Sequence, residues 1–236
     1  MKPHQTVVLL DVDNTLLDND RVVKDLRGYL RRFFGPRAER RYFEIFEELR
    51  SKLGYTDYLG ALQRYRIEHP GDPHILRMSS YLIQYPFAKR LYRHALDVIR
   101  YCRRWGPVVI LSDGDAVFQP HKVEQSGLRE AVHGHVLIFI HKEQMLPAVE
   151  RLYPARHYIM VDDKLRILAS MKRTWKSRVT TVFVHQGHYA LDRRANAAYP
   201  AADVTLARIG NLRCPAPPRR MRSCSVRRWT SSSAMF

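Results

Sequence analysis

The stretch Asp11-Val12-Asp13-Asn14-Thr15 places two carboxylates two positions apart, directly behind the apolar run from Thr6 to Leu10. Side chains at i and i+2 on a strand point the same way, and just past a strand a turn can redirect the second. A carboxylate can attack phosphorus and form an acyl-phosphate, dividing one difficult step into two. A second carboxylate can protonate the leaving oxygen and later deprotonate water. Three further groups have the same kind of position. Ser112 follows Val108-Val109-Ile110-Leu111, Lys142 follows the run ending at Ile140, and Asp162-Asp163 follow Tyr158-Ile159-Met160-Val161. A serine hydroxyl at a strand end can hold a phosphoryl oxygen near a helix start. A lysine can neutralise phosphate charge and orient a nucleophile. Adjacent carboxylates crowd negative charge, a cost that a cation offsets, and oxygen ligands of this kind suit magnesium. Each group also has a plainer reading: an acidic turn or helix cap, a serine cap, an exposed lysine, an acidic first helical turn. Four together, in this order and each behind an apolar run, are harder to explain that way.

The elements that must position them read as an α/β fold. Apolar runs at Thr6–Leu10, Pro107–Leu111, Val136–Ile140, His157–Val161 and Val179–Val184 suit strands buried on both faces. Between them lie helical patterns. Ala88–Trp105 carries Leu91, Ala95, Val98, Ile99 and Cys102 on one face and stops at Gly106-Pro107; Ala116–Gln125 and Lys164–Trp175 read similarly. Alternation of this kind predicts a Rossmann-like parallel sheet with helices on both faces. Strand ends of such a sheet converge, so groups distant in sequence can share one pocket. Residues 18–85 break the rhythm. They contain no good strand, and stripes such as Tyr42, Phe46, Leu49 and Leu53 predict an inserted helical unit. The expected organisation is an α/β core of residues 1–17 and 86–212, a helical cap of 18–85, and an Arg/Pro/Ser-rich tail of 213–236 that reads as disordered.

In this sequence the ordered motifs resemble those of the haloacid dehalogenase superfamily, specifically its phosphatase branch, over about Thr6 to Val184. The family's first motif, Asp-x-Asp-x-Thr/Val, matches Asp11, Asp13 and Thr15. The resemblance implies that Asp11 is the nucleophile and Asp13 the general acid/base. Ser112 matches the second motif, Lys142 the third, and Asp162-Asp163 the fourth. It further implies Mg²⁺ held by an Asp11 oxygen, the Asp13 backbone carbonyl and the fourth motif, with Asp163 as direct ligand and Asp162 direct or through water. Thr15, Ser112 and Asp113 are expected around the substrate. The family's helical cap corresponds to residues 18–85, with Tyr85-Pro86 at its return to the core. Glu143 stands where the family often has Pro, and Asp113 and Asp115 make the second motif unusually acidic. True dehalogenases of the family lack the second aspartate, because cleaving carbon–halogen bonds requires no proton for an alkoxide; Asp13 therefore argues against dehalogenation.

Bulk properties set the frame. The 236 residues, 45% hydrophobic, suffice for one α/β domain with a small accessory unit. No apolar run approaches a membrane span, and Met1–Thr6 is short and polar, so a cytoplasmic protein is expected. Cys102, Cys214 and Cys224 form neither a disulfide framework nor a metal knuckle and read as free thiols. The formal charge is +17, but part of the excess lies in the tail and the rest is interleaved with acids along helices. Scattered charge is a solvated surface more often than a nucleic-acid groove, so the expected partner is a small phosphorylated substrate rather than nucleic acid. His133, His135 and His141 lack a completing carboxylate or cysteine and read as packed or surface histidines. The rivals to a phosphatase are a phosphotransferase or mutase with the same residues, a non-catalytic basic binding module on this scaffold, and a dehalogenase. Oligomeric state leaves no readable sign.

Overall fold

The computed structural model describes residues 3–213. Its centre is a six-stranded, wholly parallel sheet: β1 (His4–Leu10), β2 (Val108–Asp113), β3 (Val136–Phe139), β4 (Ala155–Asp162), β5 (Val179–Val184) and β6 (Val204–Leu206), in the order β3-β2-β1-β4-β5-β6. The helices are α1 (Asn19–Leu53), α2 (Tyr58–Glu68), α3 (Ile75–Ile83), α4 (Ala95–Cys102), α5 (Phe118–Gln125), α6 (Leu128–Ala131), α7 (Leu146–Leu152), α8 (Leu165–Trp175), α9 (Gly187–Leu191) and α10 (Arg193–Asn196).

Where the apolar runs lie within the sheet, in β1, β2, β4 and β5, they are buried on both faces, and each face has its own core; β3, expected to be buried on both faces, is an edge strand and only half-buried, with Ile140 behind it 56% exposed. Val8, Leu10, Val108, Ile110, Ile159 and Val161 face one side and pack with Val98 and Ile99 of α4 and Phe118 and Val123 of α5. Val7, Leu9, Val109, Leu111, Tyr158 and Met160 face the other and pack with Val149 of α7 and Ile167, Leu168 and Met171 of α8. Burying a side chain of this size contributes roughly 1.5–3 kcal/mol, so one strand commits both helical layers to their faces.

The insertion α1–α3 lies between β1 and β2 and contains no strand, as its stripes predict. Its aromatic residues Tyr42, Phe43, Phe46, Tyr58 and Tyr65 join the first of the two cores, so it packs continuously with one sheet face. Gly35-Pro36 does not end the first helix. Gly35 takes φ 85°, ψ 166°, and the helix resumes after a kink. Proline is tolerated at a helix start because the N–H it lacks would have no partner there, and here Pro36 begins the second segment. Gly54 closes α1 with a left-handed cap, its N–H donating to the carbonyl of Arg50.

Three differences from the sequence reading stand out. The span Ala88–Trp105 is helical as a short 3-10 turn, Phe87–Arg90, followed by the shorter α4. Strand β6 and helix α7 were not anticipated; β6 has only three residues and no apolar run of its own. Arg213, placed in the tail on sequence, ends a 3-10 turn from Ile209; the remainder of that tail, with Cys214 and Cys224, lies outside the described residues. Among the described residues no helix is long and apolar enough to cross a membrane.

Candidate active site

Strand order reverses direction at β1: the chain builds β2 and β3 on one side, then crosses to β4 on the other. Open parallel sheets bind ligands in the crevice at such a switch point, beyond the carboxyl ends of the strands. The register Leu10↔Val161 and Leu10↔Ile110 aligns those ends, and the Asp11 N–H donates to the carbonyl of Val161 at 3.0 Å. Asp11, Ser112 and Asp162 are thereby brought to one rim.

Asp11 is nearly buried, and its two oxygens are separately held. Thr15 Oγ1 donates to Oδ2 at 3.0 Å and Lys142 Nζ donates to Oδ1 at 2.5 Å. Lys142 also approaches Asp162 Oδ2 at 2.8 Å and donates to the Leu111 carbonyl at 3.3 Å. Its backbone N–H donates to Asp113 Oδ1 at 2.7 Å. Burial opposes the lysine's charge, but Asp11, Asp162 and Asp113 outweigh it, and the pKa of the ammonium is raised. The Lys142 side chain is therefore a fixed cation between two carboxylates rather than the exposed lysine of the plainer reading.

Asp162 and Asp163 are fully buried. Asp162 Oδ1 accepts from the Lys164 N–H at 2.8 Å, which opens α8, while both oxygens of Asp163 have no hydrogen-bond partner. A buried carboxylate without partners is costly. Burial, with the charge of Asp162 added, pushes the Asp163 carboxyl well above its ordinary range; burial, with Asp11 added, pushes Asp162 up despite Lys142. Oxygens of Asp11, Asp162 and Asp163 lie within 4.8 Å of one another, and among the described residues they are the one group of acids, histidines and cysteines so gathered. An all-oxygen, acid-rich set with unsatisfied oxygens fits a hard dication such as Mg²⁺. The histidines His133, His135 and His141 form no such group.

Ser112 is buried, and its hydroxyl accepts from Gln119 Nε2 of α5 at 3.0 Å. Asp113 is brought to the rim, but one oxygen is engaged by the Lys142 backbone, so its visible action is to fix the loop that carries Lys142. Burial raises its pKa against the pull of Lys142.

Asp13 has the partner that sequence reasoning missed. Lys122 of α5, fully buried, donates to both of its oxygens at 2.8 and 2.9 Å and to Asn19 Oδ1 at 3.2 Å. One local sign was available: Phe118, Gln119, Lys122 and Val123 share a helical stripe, and all four are buried. A second missed group sits across the turn. Asn14, at φ 59°, donates to Asp20 Oδ1 at 2.9 Å, and Asp20 accepts from the His188 N–H at 2.8 Å.

With that geometry in place, comparison with known proteins decides the family. The model for haloacid dehalogenase-like hydrolases matches residues 5–173, which include all four motifs. The chain belongs to that family. A haloacid dehalogenase-like hydrolase of Burkholderia xenovorans LB400, known from its crystal structure, shares 60% identity and a TM-score of 0.86 over 89% of this chain and 98% of its own. Fold alone is shared with the L-2-haloacid dehalogenase of Xanthobacter autotrophicus, at 17% identity and TM-score 0.60 over 94% of this chain and all of the other. The same holds for the HAD-hydrolase YfnB of Bacillus subtilis, solved with magnesium, at 15% identity and TM-score 0.59 over 89% and 97%. A search of curated proteins finds no match.

For this haloacid dehalogenase-like hydrolase the turn behind Asp11 is tightly packed. Gly187 has φ 76°, and a Cβ there would stand 2.4 Å from Cβ of Asn14. Gly187→Ala is expected to destabilise the protein by about 1–3 kcal/mol, since it combines a strained backbone with a displaced Asn14. Urea unfolding checks this; an unchanged midpoint would show that the Asn14 turn yields freely.

Proposed function

We propose that the chain is a magnesium-dependent phosphatase acting on small phosphate monoesters through an aspartyl-phosphate on Asp11. The observation that carries this reading is Asp163: fully buried, without a hydrogen bond, and beside the nucleophile. Phosphoryl transfer gains from a dication that neutralises phosphate charge, and this is where one fits.

When bound, the ion would be held by Asp11, Asp162, Asp163 and the backbone carbonyl of Asp13, and would supply charge neutralisation for the transferring phosphoryl group. The protein's own groups do the rest. Lys142 orients Asp11 and adds positive charge at the rim. Asp11 attacks phosphorus, and Asp13 gives its proton to the leaving oxygen. Asp13 then takes a proton from water, whose oxygen attacks phosphorus and frees Asp11. Thr15 fixes the second oxygen of Asp11, and Ser112, with Asp113 beneath the Lys142 loop, borders the phosphoryl position. The insertion 18–85 acts as a cap on the core of residues 1–17 and 86–212. The free, buried thiol of Cys102 suits a reducing cytoplasm.

The test is phosphate release from a broad panel of phosphomonoesters, with magnesium and with chelator, beside halide release from 2-haloacids. Magnesium-dependent phosphate release is the expected result. Loss of the ester only when an acceptor hydroxyl is supplied, with the phosphoryl group recovered on that acceptor instead of as free phosphate, would favour a phosphotransferase or mutase, and halide release would favour a dehalogenase.

Metal binding has its own readout without turnover. Magnesium at about 100 times its dissociation constant is expected to stabilise the folded protein by roughly 2.7 kcal/mol. Asp163→Asn should abolish most of that shift while leaving the metal-free melting temperature equal or higher, because it removes an uncompensated buried carboxylate. An unchanged magnesium shift in Asp163→Asn would place the ion elsewhere.

A further inference from the structure

Lys122 of α5 lies wholly inside the protein. Its side chain is 0% exposed, and a buried ammonium costs several kcal/mol unless it is paired. Its ion-pair partner is Asp13, held through both oxygens. Its remaining neighbours are the Asn19 side-chain carbonyl at 3.2 Å and the faces of Tyr58 and Phe118 at 5.6 and 5.8 Å. These come from three places: α5 of the core, the first turn of α1, and the start of α2. Tyr58 OH donates to the same Asn19 oxygen at 3.2 Å, and Tyr42 OH donates to the Tyr58 carbonyl at 2.9 Å. Insertion and core are thus both committed to holding one ammonium against one carboxylate, while the Asp13 side chain keeps 20% of its surface open.

We infer that Lys122 is a positioning residue for the reaction, fixing the Asp13 carboxyl in the orientation from which it protonates the leaving oxygen. This rests on the phosphatase reading. An ammonium with three donors can hold either form of the carboxyl, donating to both oxygens of the carboxylate or to the carbonyl oxygen of the acid. The orientation therefore survives the proton's departure and return. In the first step, an Asp11 oxygen bonds to phosphorus, the phosphorus–oxygen bond to the alcohol breaks, and that bond's electron pair takes the Asp13 proton. In the second, Asp13 takes a proton from water, the water oxygen bonds to phosphorus, and the Asp11–phosphorus bond breaks.

Protonation matters for an alkoxide leaving group and hardly at all for p-nitrophenolate. The value of kcat/KM covers events up to departure of the alcohol, before the shared water step. The test compares Lys122→Met and Lys122→Gln with wild type on an alkyl phosphate and on p-nitrophenyl phosphate, with magnesium, in variants shown to be folded by circular dichroism. The expected result is a kcat/KM loss on the order of 100-fold for the alkyl ester, the scale of a misplaced proton donor. The loss for the aryl ester should stay within about threefold, and kcat should fall for both esters because the water step is shared. Equal losses of kcat/KM on the two esters, or no loss, would overturn the positioning role while leaving the phosphatase reading in place. Two unfoldable variants would likewise overturn it in favour of a structural pair. Wild type releasing phosphate from neither ester would sink both.

Discussion

Asp11→Asn is expected to cut phosphate release by on the order of 10⁴-fold or more, the scale of removing a nucleophile. Two hydrogen bonds aim the carboxylate, one from Thr15 Oγ1 and one from Lys142 Nζ. An amide of the same shape retains one acceptor oxygen but cannot form the acyl-phosphate. The fold should persist, because Lys142 keeps Asp162 as a partner and one negative charge leaves an acid-rich cluster. Steady-state phosphate release, with a melting curve on the same preparation, checks both halves. A variant keeping a tenth of wild-type turnover would move the nucleophile elsewhere.

Lys142→Met is expected to damage both activity and stability. The ammonium sits 2.5 Å from Asp11 and 2.8 Å from Asp162, and its own side chain is 1% exposed. Removing one partner from a buried charge group typically costs about 3–5 kcal/mol, because the charges left behind lose their compensation. Losing the charge that offsets the phosphoryl oxygens should lower turnover by roughly 10²–10³-fold. Magnesium should recover part of the stability, since it places positive charge among the same carboxylates, but little of the turnover. Denaturant unfolding with and without the ion, beside phosphate release, measures the two effects. Near-wild-type stability in the metal-free variant would show that Asp11 and Asp162 do not depend on this cation.

The legibility of the molecule in its sequence varies with how local each cause is. Strands such as Thr6–Leu10 announce themselves because burial on two faces requires apolar residues at every position. The rim followed from them: once the strands are parallel and in register, Asp11, Ser112 and Asp162 must meet. What stayed hidden depends on distant packing. Lys122 looks like any helical lysine until α5 is set against α1 and α2, 103 residues from Asn19. The bond from the His188 N–H to Asp20 spans 168 residues and carries no local pattern. β6 is too short to show periodicity, and its partner β5 supplies the hydrogen bonds that make it a strand. Gly35-Pro36 is the reverse case, a strong local break signal that the packed helix absorbs as a kink.

Phosphorylation of Asp11 is the step on which the proposed chemistry turns. The most direct measurement is to mix the enzyme with magnesium and a ³²P-labelled phosphomonoester that it turns over, quench in acid within one turnover, and map the labelled peptide. The expected result is an acid-stable, alkali-labile label on Asp11, converted by borohydride to homoserine at that position. Label on another residue, or rapid phosphate release with no labelled protein at any quench time, would contradict it.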